Sequence, residues 1–232
     1  MATHRSDGPV ITATGVSRVF GSGATAVTAL SAISLTIEQG EFLAVTGRSG
    51  SGKTTLLNLL SGLDRPSSGT VHFDGKDLAE MSEAELVEMR RHKIGFVFQS
   101  FGLMPLLSAQ ENVELPLHIG GVSWRERRQR AGDALKAVGL GTRTRHRPFE
   151  LSGGEQQRVS IARALVAQPD VVFADEPTGE LDTATARSIA ETLGEVAASR
   201  RATVIVATHD LELAATAQRR VDLVDGTFVS QG

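Results

Sequence analysis

The segment that constrains this chain most is Gly47-Arg48-Ser49-Gly50-Ser51-Gly52-Lys53-Thr54, set between an apolar pentad, Phe42–Thr46, and a helix-forming run, Thr54–Leu60. An apolar strand, a glycine-rich turn and a helix in immediate succession fix a strand-turn-helix unit, because glycines let the backbone turn where a side chain would obstruct it. Such a turn aims backbone N–H groups inward at the positive end of the helix, and Lys53 adds a full charge, so the unit suits a phosphate. Gly47, Ser49, Gly50, Ser51 and Gly52 form the cradle, Thr54 offers a hydroxyl to Mg²⁺, and Thr55 is the next donor.

Three further apolar runs, Ile94–Phe98, Val171–Ala174 and Thr203–Thr208, are strand-sized and alternate with helical stretches, the pattern of a mainly parallel sheet. Ahead of them Ile33, Leu35 and Ile37 alternate with Ser34, Thr36 and Glu38, which predicts an antiparallel opening. Asp74-Gly75 and Asp225-Gly226, flanked by Val71, Phe73, Leu223 and Phe228, predict tight hairpin turns. From Ser108 to Ala167 helical periodicity takes over. The expected organisation is therefore α/β and one domain over 1–232, with a core carrying a β subdomain (about 10–98 and 168–229) and an inserted helical subdomain (about 99–167). Helix starts are marked by Ser82 with Glu85, Ser123 with Glu126, and by Asp182 and Asp210.

The polar residues cluster where these strands end. Asp175 and Glu176 follow Val171–Ala174, Gln99 follows Ile94–Phe98, and His209 follows Thr203–Thr208. In open α/β sheets ligands bind outside the carboxyl ends of parallel strands, so Lys53, Gln99, Asp175, Glu176 and His209 are expected to converge. Asp175 suits a Mg²⁺ shell, and Glu176 suits polarising a water for attack on a γ-phosphate. Leu151-Ser152-Gly153-Gly154-Glu155-Gln156-Gln157-Arg158 opens a helix whose Val159, Ala162, Leu165 and Val166 form one apolar face. Ser152 and Glu155 have capping-box spacing, and the two glycines after the cap weaken the helix, which points to close backbone approach by a ligand. After Gln99, Phe101–Pro105 is expected to stay partly exposed for a partner helix, with the neighbouring apolar residues packing the helical subdomain. The arginines at 125–130 and 143–147 are expected to form solvated faces.

Composition narrows the partners. The chain has 232 residues, 41% of them apolar, a formal charge of −3 and no cysteine. It can close a core but cannot form disulfides or thiolate metal sites, and near neutrality gives no overall attraction to nucleic acid. The polar stretch Met1–Pro9 carries no signal-peptide core, and the longest apolar runs are far short of a membrane span, so a cytoplasmic chain is expected.

Taken together, these motifs resemble the nucleotide-binding subunit of ATP-binding-cassette (ABC) transporters, in the family's order from about Val10 to Val229. The stretches Ile94–Gln99, Glu111–Leu117 and Thr178-Gly179 look most like the branch containing LolD, MacB and FtsE. The resemblance implies a P-loop NTPase core, ATP with Mg²⁺, and metal contacts from Thr54, Gln99 and Asp175. It implies hydrolysis carried by Glu176 and His209 with Gln99, and Phe20 stacking on adenine where the family often has tyrosine. It also implies a head-to-tail second copy, with Ser152, Gly153, Gly154 and Gln156 reaching the partner's ATP and Asp182 bridging the two sites. A separately encoded membrane permease at the cytoplasmic face of the membrane is the remaining partner, and no nucleic acid is expected. Glu180 stands where a small residue or Asn is usual.

Overall fold

The structure, a computed structural model, describes residues 8–199 and 202–231; the part of the polar opening up to Asp7 lies outside them. Two sheets organise the chain. Strands β1 (Ile11–Phe20) and β2 (Val27–Ile37) join β4 (Ser68–Phe73) and β5 (Lys76–Asp77) in an antiparallel sheet ordered β2-β1-β4-β5. The second sheet, ordered β10-β9-β3-β8-β7-β6, contains β3 (Phe42–Thr46), β6 (Ile94–Val97), β7 (Val171–Asp175), β8 (Thr203–Thr208), β9 (Arg219–Val224) and β10 (Thr227–Gln231). Its strands are parallel except β10, which returns from β9 through a hairpin. Both expected hairpin turns form, with positive φ at Asp74, Gly75, Asp225 and Gly226, as the right-handed twist of the flanking strands demands.

Alternation along the parallel strands builds two cores. Leu43, Val45, Phe173, Ile205 and Leu223 face the antiparallel sheet and α1 (Lys53–Leu60). Phe42, Ala44, Val172, Val204 and Val206 face the other way, onto Ile189 and Leu193 of α6 (Thr183–Ala198). Successive side chains of a strand point to opposite sides, so a sheet covered on both faces needs these continuous apolar runs. On the first sheet Ile33, Leu35 and Ile37 are buried while Ser34 and Thr36 are exposed, which is the alternation expected of a one-sided strand.

A third core lies among α3 (Ala109–Ile119), α4 (Trp124–Ala137) and α5 (Gly153–Leu165), where Val113, Leu117, Leu135, Val159 and Ala162 meet. Helix α5 is buried on two sides. Val159, Ala162 and Val166 enter this third core, while Leu165, expected on the same face, packs half-buried against the second core with Ile161 and Ala164. Contact with β6 is close enough that a methyl on Gly95 would strike the Ala164 carbonyl oxygen. Helix α2 (Glu83–Lys93) starts at the expected Ser82–Glu85 capping box, whereas Ser123 accepts only the Glu126 N–H at the start of α4. A further box, Ser108 with Glu111, opens α3, and its two serine bonds hold the Glu111 carboxyl below the usual range. Asp182 caps α6, and Asp210 caps α7 (Leu211–Ala214).

Phe101–Pro105 are all at least partly exposed, as expected, but the exposed stretch runs further than expected. Leu106 does not pack the helical core; it is 79% exposed. The amide of Asn112 explains the shape of this loop, because it accepts the Met104 N–H and donates to the carbonyls of Met104, Leu107 and Ser108. Those bonds curl the loop around a buried polar group and turn Leu106 outward.

Two glycines separate packing from propensity. Gly95→Ala forces β6 and α5 apart and is expected to cost about 1–3 kcal/mol. Gly132→Ala, in the interior of α4 where a methyl meets nothing within 4 Å, is expected to stabilise by about 0.5–1 kcal/mol. Urea midpoints moving in opposite directions at constant m would check both.

Candidate nucleotide site

Parallel pairing in register brings the carboxyl ends of three strands level. Thr46 of β3 pairs with Thr208 of β8, and Ala207 of β8 pairs with Asp175 of β7. The residues that leave these strands, Gly47 onward, His209 and Glu176, therefore share one edge of the sheet, as the sequence leads one to expect. The Gly47–Gly52 turn runs into α1 through Gly52, whose φ of 105° is a glycine conformation and whose Cβ would lie 2.5 Å from the Ala29 carbonyl oxygen. No side chain caps the start of α1, so its first N–H groups remain to serve an anion.

Lys53 is buried in the cradle, 6% exposed. Its Nζ donates to the carbonyls of Gly47 (2.8 Å) and Arg48 (3.2 Å) and pairs with Glu176 Oε1 at 3.1 Å. The other Glu176 oxygen accepts from His209, from its backbone N–H at 3.2 Å and from Nδ1 at 2.8 Å. One carboxylate thus joins the phosphate-loop cation to a histidine 33 positions further on. Glu176 has φ 46°, a left-handed conformation that costs a non-glycine residue about 1–2 kcal/mol. Its N–H donates to the Ala207 carbonyl and its own carbonyl accepts the Gly179 N–H, so the backbone is held at both ends of that strained residue.

Asp175 behaves differently from its neighbour. Thr54 Oγ1 donates to Asp175 Oδ2 at 2.7 Å across 121 positions, while Oδ1 is buried without a partner. Burial pushes the carboxyl above its usual range, opposed by the Thr54 hydrogen bond; the nearby Glu176 charge raises it further and Lys53 lowers it. A hard cation fits this donor set, since Mg²⁺ uses one or two carboxylates, a hydroxyl and substrate oxygens rather than a dedicated protein cage. Among the described residues no cluster of three or more His, Asp or Glu side chains forms such a cage. Gln99 is exposed at the end of β6, with its amide beside Gly179.

The other expected residues lie on separate surfaces of the chain. Phe20 stands out of the core, 43% exposed, with the Arg18 guanidinium 4.5 Å over its ring. Ser152 caps α5 by accepting the Glu155 N–H, and Glu155 returns the bond to the Ser152 N–H. Gln156 donates to the Leu151 carbonyl. Gly154 has a packing role that the sequence reading missed: a Cβ there would collide with the Thr185 methyl. Packing against the Thr185 side chain of α6 favours that glycine without any ligand. Thr185 in turn donates its hydroxyl (2.6 Å) and its N–H (3.0 Å) to Asp182. Gly153, by contrast, has room for a methyl at ordinary contact distance from Leu181 and Phe101. Glu180 is exposed, and nothing in the structure explains it.

Sequence reasoning also passed over Gln157 and Arg163. Gln157 is fully buried, and Arg163 donates to the carbonyls of Phe101 and Gly102 in the loop after Gln99. The available signal was a polar residue in line with Ile161 and Ala164, at helical spacing on a face that packs against a sheet.

The sequence pattern of the ABC transporter family matches residues 30–179. The lipoprotein-releasing system ATP-binding protein LolD of Geobacter metallireducens is 48% identical over 91% of this chain and 94% of its own length. The macrolide export ATP-binding/permease protein MacB of Hyphomonas neptunium is 47% identical over 96% of this chain, which spans only 34% of that longer protein. Among solved structures, the ATP-binding cassette MJ0796, in a dimeric post-hydrolysis state bound to ADP and Pi, superposes with a TM-score of 0.88 at 42% identity, covering 96% of this chain and 97% of that one. With a mainly parallel sheet, a phosphate loop and paired acids at the next strand but one, this chain belongs to the ABC transporter family.

Proposed function

We propose that the chain is the ATP-hydrolysing cassette of a transporter, cleaving ATP to ADP and phosphate. The observation that carries this is the Glu176 carboxylate held between Lys53 at 3.1 Å and His209 at 2.8 Å. In this reading the phosphates lie on the Gly47–Gly52 turn, with Lys53 compensating their charge and Thr55 as a further donor. Thr54, Asp175 and Gln99 would hold Mg²⁺, which when bound spreads the charge developing on the phosphoryl oxygens. Glu176 accepts a proton from the attacking water as its oxygen closes on the γ-phosphorus and the bond to the bridging oxygen breaks. His209 orients that carboxylate through Nδ1–H, and in this reading its other ring nitrogen serves the γ-phosphate. Phe20 presents a ring face for the base.

We further infer a head-to-tail dimer. Ser152, at the first turn of α5, is exposed and Gly153, Gly154 and Gln156 beside it are partly exposed, and in this reading they meet ATP held by a second copy. In the same reading Asp182, at the start of α6, bridges the two sites. The dimeric state of the similar cassette MJ0796 supports this. Coupling to a membrane permease is supported by a groove of about 430 Å³ lined by Val87, Phe96, Phe98, Pro116, Ile119 and Arg163. It lies between the sheet edge and the inserted helices, so we take about 99–167 as the coupling arm. No helix among the described residues is long and apolar enough to cross a membrane; in this reading the chain attaches to the permease at the cytoplasmic face.

Glu176→Gln is expected to lower turnover by about 10²–10⁴-fold while ATP binding persists. Light scattering should find that variant dimeric with ATP and monomeric without it; normal turnover would remove Glu176 from its role. Asp175 yields a different signature. Its raised pKa means the folded chain keeps a proton the unfolded chain has released, so stability falls as pH climbs through that window. Asp175→Asn is expected to match or exceed the parent in thermal midpoint at neutral pH and to flatten that fall, while losing the extra stabilisation that Mg²⁺ gives with ATP. A lower midpoint with Mg²⁺ dependence intact would contradict the metal assignment.

A further inference from the structure

The 176–179 turn carries the proposed general base in a strained conformation, and most of what restrains it comes from the start of α1 and the end of β8: Lys53, Ala207 and His209. One restraint comes from the helical insertion. Gln157, on the buried face of α5 and 0% exposed, donates its amide to the Pro177 carbonyl at 2.7 Å and, at a longer 3.4 Å, to the Phe98 carbonyl. Pro177 directly follows Glu176, and Phe98 directly precedes Gln99. A single side chain therefore spans the roots of two elements that must meet around one phosphate, and it does so from the helix whose first turn carries Ser152–Gly154.

Burying an amide here makes sense only if those bonds matter. Its Oε1 has no partner among the described residues, so the amide bears an uncompensated polar oxygen to keep its two donor contacts. An apolar side chain of equal size would fill the space without that cost. Six positions further along α5, Arg163 holds the same loop a few residues on, through the Phe101 and Gly102 carbonyls. The first part of the loop after β6 is thus tied to α5 at two points, and the tie nearer the site also reaches the turn behind Glu176.

We propose that Gln157 is a positioning residue for hydrolysis, setting the spacing of Gln99 and Glu176 and passing displacements of α5 to the Glu176 turn. It touches neither nucleotide nor metal. This rests on Glu176 acting as the base, and it adds that the base is aligned from the helical insertion, not from the sheet alone. Misplacement on the scale of an ångström is enough to slow an aligned reaction by about 10²-fold.

The test uses the full chain, with Gln157→Met as a near-isosteric side chain lacking the donor. The expected result is turnover lowered about tenfold or more, with the Kd for MgATP and the KM unchanged and cooperative unfolding retained. Should the methionine variant fail to fold, Gln157→Glu, equal in size and lacking the paired N–H donors, is measured the same way. Turnover equal to the parent would overturn the proposal, as would a rise in Kd parallel to the loss of turnover, which marks general disruption. Glu176→Gln run alongside separates the two readings. If it is silent while Gln157→Met turns over normally, only the positioning role falls; if it retains turnover, both do.

Discussion

In-register parallel pairing of β7, β8 and β3 is the constraint on which the rest of the molecule depends. It places the last residues of three distant segments at one level, so that a turn, an acidic pair and a histidine emerge together. Hydrogen-bond register in a sheet is specified by burial: slipping one strand by one residue would exchange Leu43 and Val45 for Phe42 and Ala44, and each face is fully packed. Core packing thereby sets the geometry of the chemistry. Groups separated by more than a hundred positions meet within hydrogen-bond distance because their strands cannot slide.

The two acids at the end of β7 show how adjacent residues can meet different environments. Asp175, with one oxygen buried and unpartnered, is pushed toward its neutral form, whereas Glu176 is bound on both oxygens by cationic or donor groups. A group short of a counter-charge suits a cation; a group already aligned by two partners suits a directed proton transfer. Neighbours in sequence acquire different surroundings because successive residues leave the strand on different sides and Glu176 then turns through a positive φ.

Helix α5 serves three surfaces at once: the third core, the face of β6 and, at its first turn, the outer surface. This explains its composition. Gly154 accommodates Thr185, Gly95 accommodates the α5 backbone, and Gln157 is polar where the packing alone would ask for an apolar residue. The reading of Ser152–Gly154 as a second phosphate-binding feature came from the oddity of two glycines after a cap. The structure divides that oddity: Gly154 has a packing reason, whereas Gly153, where a methyl would fit at ordinary contact distance, has none.

Much of the fold was legible along the chain because its signals are local. The apolar runs at Phe42–Thr46 and Thr203–Thr208, the Asp-Gly turns and the Ser82–Glu85 box each concern residues within a few positions, and each forms as read. The phosphate loop was equally plain, since glycine spacing, lysine and flanking elements all lie within twenty residues. Sequence by itself determined that there is an α/β chain with a phosphate cradle and acids at a strand end. Only the tertiary structure decided that Glu176 joins Lys53 to His209, that Leu106 faces outward, and that Gln157 ties α5 to the Glu176 turn. Those contacts bridge elements far apart in the chain, and burial, register and unmatched polar atoms exist only once the sheets and helices have closed on one another.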